Sequence, residues 1–111
     1  HCALMMPAQE RLAADLATLS YGDSEVPVVH NVDAIASSDG STVAKKLTQQ
    51  VSSPVRWLQS VEAMSAAGVD TFIEIGPGKV LTGLVLQINR EVRYGNIEDS
   101  VSLSSALEIL S

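Results

Sequence analysis

The stretch Thr71–Gly83, "TFIEIGPGKVLTG", decides how the chain is read. Val69, Thr71, Ile73 and Ile75 alternate with Asp70, Phe72 and Glu74, the period-2 pattern of a strand rich in β-branched residues. "GPG" then forces a tight turn, and Val80, Leu81, Leu84, Val85 and Ile88 fall on one face of a helix predicted over Lys79–Asn89. A strand, a glycine turn and a helix N-terminus can together present backbone N–H groups to an anion. The spacing is neither that of a P-loop nor G-x-G-x-x-G, however, and short glycine motifs are weakly specific. The plainer reading is that Gly76 and Gly78 supply permissive backbone angles, with Lys79 a solvated first-turn residue.

Working outward, "EVRYGNI" (Glu91–Ile97) predicts a second strand and Ser100–Leu110 a last helix. Upstream, Trp57, Leu58, Val61 and Met64 give a helix its buried face, with Gly68 as the stop signal. Ser53 is the expected cap of that helix, with Pro54 in its first turn. Val43, Leu47 and Val51 mark another helix, for which Ser41 is the candidate cap. "VPVVHNV" (Val26–Val32) reads as a short strand, and "DAIASSDG" after it as a polar loop ending at Gly40. Leu12, Leu16 and Leu19 continue a stripe begun by Met5 and Ala8, so residues 4–19 read as an amphipathic helix. Helices alternating with strands predict an α/β fold, with helices packed on a few mainly parallel strands. Two or three strands make a thin sheet, so the chain reads as part of a domain. Open strand edges and exposed apolar faces are expected of it, and the isolated polypeptide is expected to be marginal or sticky.

Composition narrows the function. The 111 residues carry a formal net charge of −6, the wrong sign for a phosphate backbone. Tyr21, Trp57, Phe72 and Tyr94 are the only aromatic residues, too few for a base-stacking platform. Nucleic acid is therefore not an expected partner. The longest apolar run, "VLTGLVLQI", is about half of the roughly 20 residues that a membrane-spanning helix needs. One cysteine, Cys2, rules out an internal disulfide. His1 and His30 are the only imidazoles, and His1, Cys2 and His30 lack any known metal-ligand spacing. Asp15, Glu25, Asp33, Glu62, Asp70 and Glu74 are scattered and read as solvated faces and loops.

Four blocks in series carry a more specific signal: "HCALM", "VPVVHNVDA", "LTQQVSSPVRWLQSVEAM" and "FIEIGPGKVLTGL". In order and spacing, from residue 1 to about Ile88, they resemble the C-terminal third of the malonyl-CoA:acyl-carrier-protein transacylases. The acyltransferase domains of polyketide synthases share the pattern more loosely. The resemblance implies an α/β-hydrolase-like large subdomain, of which residues 1–111 would be the C-terminal part. The nucleophile region and the ferredoxin-like small subdomain would be absent from this sequence. It implies transfer of malonyl from coenzyme A to the phosphopantetheine thiol of acyl carrier protein, through a serine acyl-enzyme. No metal or cofactor is implied, and the setting would be the cytoplasm.

Residue by residue, the resemblance places the family's general base at His1. It places the supporting main-chain carbonyl at the glutamine before "SPV", for which the sequence offers Gln49 and Gln50 and the spacing to Pro54 favours Gln50. Its acceptance of the Nδ1–H would leave Nε2 to face the serine. No G-x-S-x-G occurs in the 111 residues, so the nucleophile is expected to lie elsewhere. Lys45, Lys46 and Arg56 are candidates for meeting an acidic carrier, with a solvated surface as the plainer explanation. Two alternatives stand beside this reading: an acyltransferase domain of a polyketide synthase, and a small non-catalytic α/β binding module.

Overall fold

The computed structural model describes all 111 residues and divides them into two compact units, His1–Ala63 and Met64–Ser111. The first unit opens with a 3₁₀ turn, Ala3–Met5, leading into α1, Met6–Leu16. Pro7 sits in the first turn of α1, where its missing N–H costs nothing. The predicted helix is shorter at its end than its apolar stripe. Thr18 and Leu19 close with i→i−3 bonds, Thr18 N–H to the Asp15 carbonyl (3.2 Å) and Leu19 N–H to the Leu16 carbonyl (3.2 Å), and the Tyr21 hydroxyl donates to the Leu16 carbonyl (3.0 Å).

The strand expected over Val26–Val32 is reduced to β1, Val28–Val29. It pairs antiparallel with β2, Ala36–Ser37, inside the segment read as a polar loop. Between them the chain turns through Ala34 at φ +57, a left-handed conformation for which alanine gives no sequence signal. A 3₁₀ turn, Gly40–Thr42, then leads into α2, Val43–Gln49. Ser41 does not cap α2: it lies inside the 3₁₀ turn, which is capped by Asp39, whose carboxylate accepts from the Ser41 N–H at 2.9 Å. Thr42, the residue before α2, makes no side-chain cap bond. Ser53 is also reassigned: its hydroxyl donates to the Gln49 carbonyl at 2.7 Å, closing α2 instead of opening α3. α3 runs Trp57–Ala66, and Pro54 lies outside it.

The second unit begins within α3, which ends as Gly68 was expected to end it. Gly68 has φ +96, its N–H donates to the Ser65 carbonyl, and the Val69 N–H reaches the Met64 carbonyl. These are the paired bonds of a Schellman motif. β3, Thr71–Ile75, pairs parallel with β4, Arg93–Ile97, in the register Thr71↔Arg93 to Ile75↔Ile97. α4, Val80–Ile88, is the crossover between them, since parallel neighbours cannot be joined by a hairpin. α5, Ser100–Leu110, packs along β4 and is opened by a capping box between Asp99 and Ser102. Val85, Val92 and Ala106 are buried, while Ile75, Val80 and Val101 stand exposed. Most strand residues are therefore in the parallel pair, as expected: β3 and β4 have five residues each, whereas the antiparallel β1 and β2 have two each. No helix is long and apolar enough to cross a membrane.

Candidate active site

Both residues singled out for chemistry lie in the first unit, and both line one cleft of about 310 Å³. One wall carries Met5, Leu12 and Leu16, the stripe that runs along the start of the chain and α1. The other carries Leu47 and Val51, with Gln50 between them in sequence, at the end of α2. His1 completes the lining and is exposed, just ahead of the extended Cys2. An imidazole is thus set at the edge of an otherwise apolar recess.

Gln50 has two carbonyls to offer. The last carbonyls of a helix have no intrahelical donor and need outside partners. At the end of α2, local bonds serve Lys46 (from Gln50 N–H, 3.1 Å), Thr48 (from Val51 N–H, 3.3 Å) and Gln49 (from the Ser53 hydroxyl, 2.7 Å). None ends on the main-chain oxygen of Gln50. That oxygen has no donor in the structure; the His1 ring lines the same cleft but makes no hydrogen bond to it. The side-chain Oε1 of Gln50 is buried and also lacks a donor.

The other candidates disperse. Cys2 is exposed, and no group of three or more His, Cys, Asp or Glu side chains gathers as a metal site. His30 is buried with its Nδ1 unpartnered. Lys46 pairs with Asp33 at 3.1 Å, and Arg56 Nε donates to the Val32 carbonyl at 3.1 Å. Of the three cations considered for carrier docking, Lys45 is therefore the exposed one without such a tie. Burial alone would raise the Asp33 carboxyl, but the Ile35 N–H and the Lys46 ammonium outweigh it and hold the group below its usual range.

The glycine turn is taken up by the protein's own carboxylates. Gly76 and Gly78 have φ +133 and +85, as the plainer reading requires. The Gly78 N–H donates to Glu98 at 2.8 Å, and the Glu74 carboxylate accepts from the Leu81 and Thr82 N–H groups and the Thr82 hydroxyl at 2.7–3.3 Å. Glu74 is thus a helix cap supplied by the preceding strand, which corrects its assignment to a solvated face. Its position on the strand that feeds α4 is the signal that could have found it. Gln9 and Ser52, which are hydrogen-bonded to each other, carry no such signal.

Among solved structures the chain's fold is that of acyltransferases acting on acyl carrier protein. It superposes on the acyl-carrier-protein S-malonyltransferase of Bartonella henselae with a TM-score of 0.92 at 39% identity, covering 99% of this chain and 35% of that one. A malonyl transacylase solved in complex with a type II polyketide synthase acyl carrier protein gives 0.89 at 41%, covering 97% and 35%. More particularly, the sequence is 41% identical over 109 residues to the malonyl CoA-acyl carrier protein transacylase of Escherichia coli (strain K12), covering 98% of this chain and 35% of that protein. The chain is therefore similar in fold and sequence to the C-terminal part of the malonyl-CoA:acyl-carrier-protein transacylases, and spans about a third of the length of the relatives it matches. The match continues beyond Ile88, where the motif resemblance stops. No family profile matches the chain.

Proposed function

We propose that residues 1–111 are the base-bearing part of a malonyl-CoA:acyl-carrier-protein transacylase. They would form the C-terminal part of its large subdomain, with the nucleophilic serine supplied from outside these residues. The observation that supports it best is the lining of one cleft by His1 and Gln50 in a chain so similar to those enzymes. In this reading Nε2 of His1 takes the serine proton as the oxygen attacks the malonyl thioester carbonyl. The carbon–sulfur bond then breaks and the imidazolium returns the proton to the coenzyme A thiolate. The same steps, run with the carrier's phosphopantetheine thiol as acceptor, deliver the malonyl group. The main-chain carbonyl of Gln50 holds the Nδ1–H and so fixes the useful tautomer. No metal or cofactor enters, and the setting is cytoplasmic fatty acid synthesis. A polyketide carrier is the second reading, because one structural neighbour was solved with such a carrier.

The test is a chimera in which residues 1–111 replace the matching third of the E. coli enzyme. His1→Ala is expected to lower kcat by about 10²–10⁴-fold, the usual worth of a general base. Gln50→Ala is expected to stay within roughly tenfold of the parent, since its side-chain oxygen has no donor to lose. An active chimera indifferent to His1→Ala would sink the base assignment, and equal losses in the two variants would sink the carbonyl assignment.

A further inference from the structure

Gln9 and Ser52 are 43 residues apart, yet the Ser52 hydroxyl donates to the Gln9 side-chain oxygen in a part-buried hydrogen bond. Gln9 stands on α1, the helix that His1 leads into, and Ser52 is two residues beyond Gln50. The cleft lined by the same two segments is mostly apolar, with Leu12 and Leu16 from α1 and Leu47 and Val51 from α2 and its end. Apolar contact is non-directional and tolerates small slides of one helix along another. A hydrogen bond weakens steeply as it bends and so fixes a register that apolar contact leaves soft.

We propose that Gln9 and Ser52 are positioning residues: their bond sets the depth at which α1 holds His1 against the free main-chain carbonyl of Gln50. The inference rests on the reading of His1 as base and Gln50 as its support. Neither side chain touches the reacting atoms. Both act through the placement of the imidazole, where misplacement by about 1 Å can cost as much as 10²-fold in rate.

Losing the bond is expected to loosen the imidazole from its carbonyl acceptor. The imidazolium is then less stabilised, so the pKa seen in the pH–rate profile falls. In the chimera, Ser52→Ala is expected to lower kcat by about tenfold with KM for malonyl-CoA unchanged, the mark of an interaction that matters only in the transition state. The acid limb of the profile moves to lower pH. Gln9→Leu is expected to do the same, the double variant to be no worse than either single one, and Ser52→Thr to restore the rate.

His1→Ala is measured alongside, so the two ideas fail separately. A parent that does not depend on His1 removes the base reading. A His1-dependent parent in which Ser52→Ala loses thermal stability but keeps its kcat and pH profile leaves a purely structural bond and overturns the clamp. A crystal structure of the Ser52→Ala chimera decides the geometry even without turnover. A shift of α1 along α2 is expected, and an unchanged register overturns the proposal.

Discussion

In residues 64–111 the order comes from the backbone, whereas in residues 1–63 it is stitched together largely by side chains. The second unit has a five-residue parallel ladder, a Schellman stop on α3 and a capping box on α5, all set by local pattern. The first unit pairs only two residues in each of its strands. Two backbone bonds, Ser24 N–H to the Ser38 carbonyl and Arg56 N–H to the Asn31 carbonyl, join its distant segments. Side chains add the rest: Asp23 to the Gly40 N–H, Lys46 to Asp33, Arg56 to the Val32 carbonyl and Ser52 to Gln9. The cleft with His1 and Gln50 lies in that second kind of structure. An irregular scaffold can aim side chains at angles that a regular ladder does not offer, but it depends on particular residues far apart in sequence.

The comparison is broken or sharpened most strongly at Gly40. A Cβ there would lie 2.5 Å from the Gly22 carbonyl oxygen and 2.8 Å from that of Tyr21, both backbone atoms that have nowhere to go. Gly40→Ala is therefore expected to destabilise the first unit by roughly 3 kcal/mol or more, as overpacking against rigid neighbours does. Urea unfolding followed by the fluorescence of Trp57, the sole tryptophan, reads this directly. A midpoint equal to the parent's would mean that loops 21–24 and 38–40 are not held together as described.

That dependence explains what the residues disclosed and what they hid. β3, β4, α4 and α5 were all legible, because the patterns behind them, such as alternation and a glycine turn, act within a few positions. β2 was not, since Ala36–Ser37 lie in a stretch that reads as a polar loop and the left-handed turn at Ala34 carries no local mark. Ser41 and Ser53 were read as caps by position, but Ser41 falls inside a 3₁₀ turn capped by Asp39 ahead of α2, and Ser53 turns back to the Gln49 carbonyl. His1 and Gln50 were named through resemblance, not spacing. What the structure adds is that one cleft holds both, 49 positions apart in the chain. The bond between Gln9 and Ser52 could not have been read from either residue's neighbours.

Gly95 gives the contrasting case in the second unit. Its Cβ would meet the Ile109 Cδ1 at 2.8 Å and the Ile73 Cδ1 at 3.2 Å, the flexible ends of two side chains. Those tips can rotate away, so Gly95→Ala is expected to cost about 1 kcal/mol, at the low end for overpacking. Thermal unfolding of the two glycine variants side by side measures the difference. If Gly95→Ala proved as damaging as Gly40→Ala, β4 and α5 would be as intolerant as the loops, and the contrast between the units would fail.

The smallest effect expected is electrostatic and belongs to one helix end. The Thr82 N–H first, then the Thr82 hydroxyl, and with them the Leu81 N–H, hold the Glu74 carboxyl below its ordinary value near 4.5. A depressed folded pKa means that the group's stabilisation is complete above that ordinary value and fades as pH falls through the folded one. The amide resonance of Thr82 is therefore expected to titrate with a midpoint below 4.5. In Glu74→Gln, which has no charge to lose, that titration disappears. Because Glu74 is a cap within the second unit, the same substitution is expected to leave the Trp57 fluorescence of the first unit unchanged across the acid range. A Thr82 midpoint at or above 4.5 would show that the carboxylate does not cap α4 in solution, and a change at Trp57 would show that the two units do not respond separately.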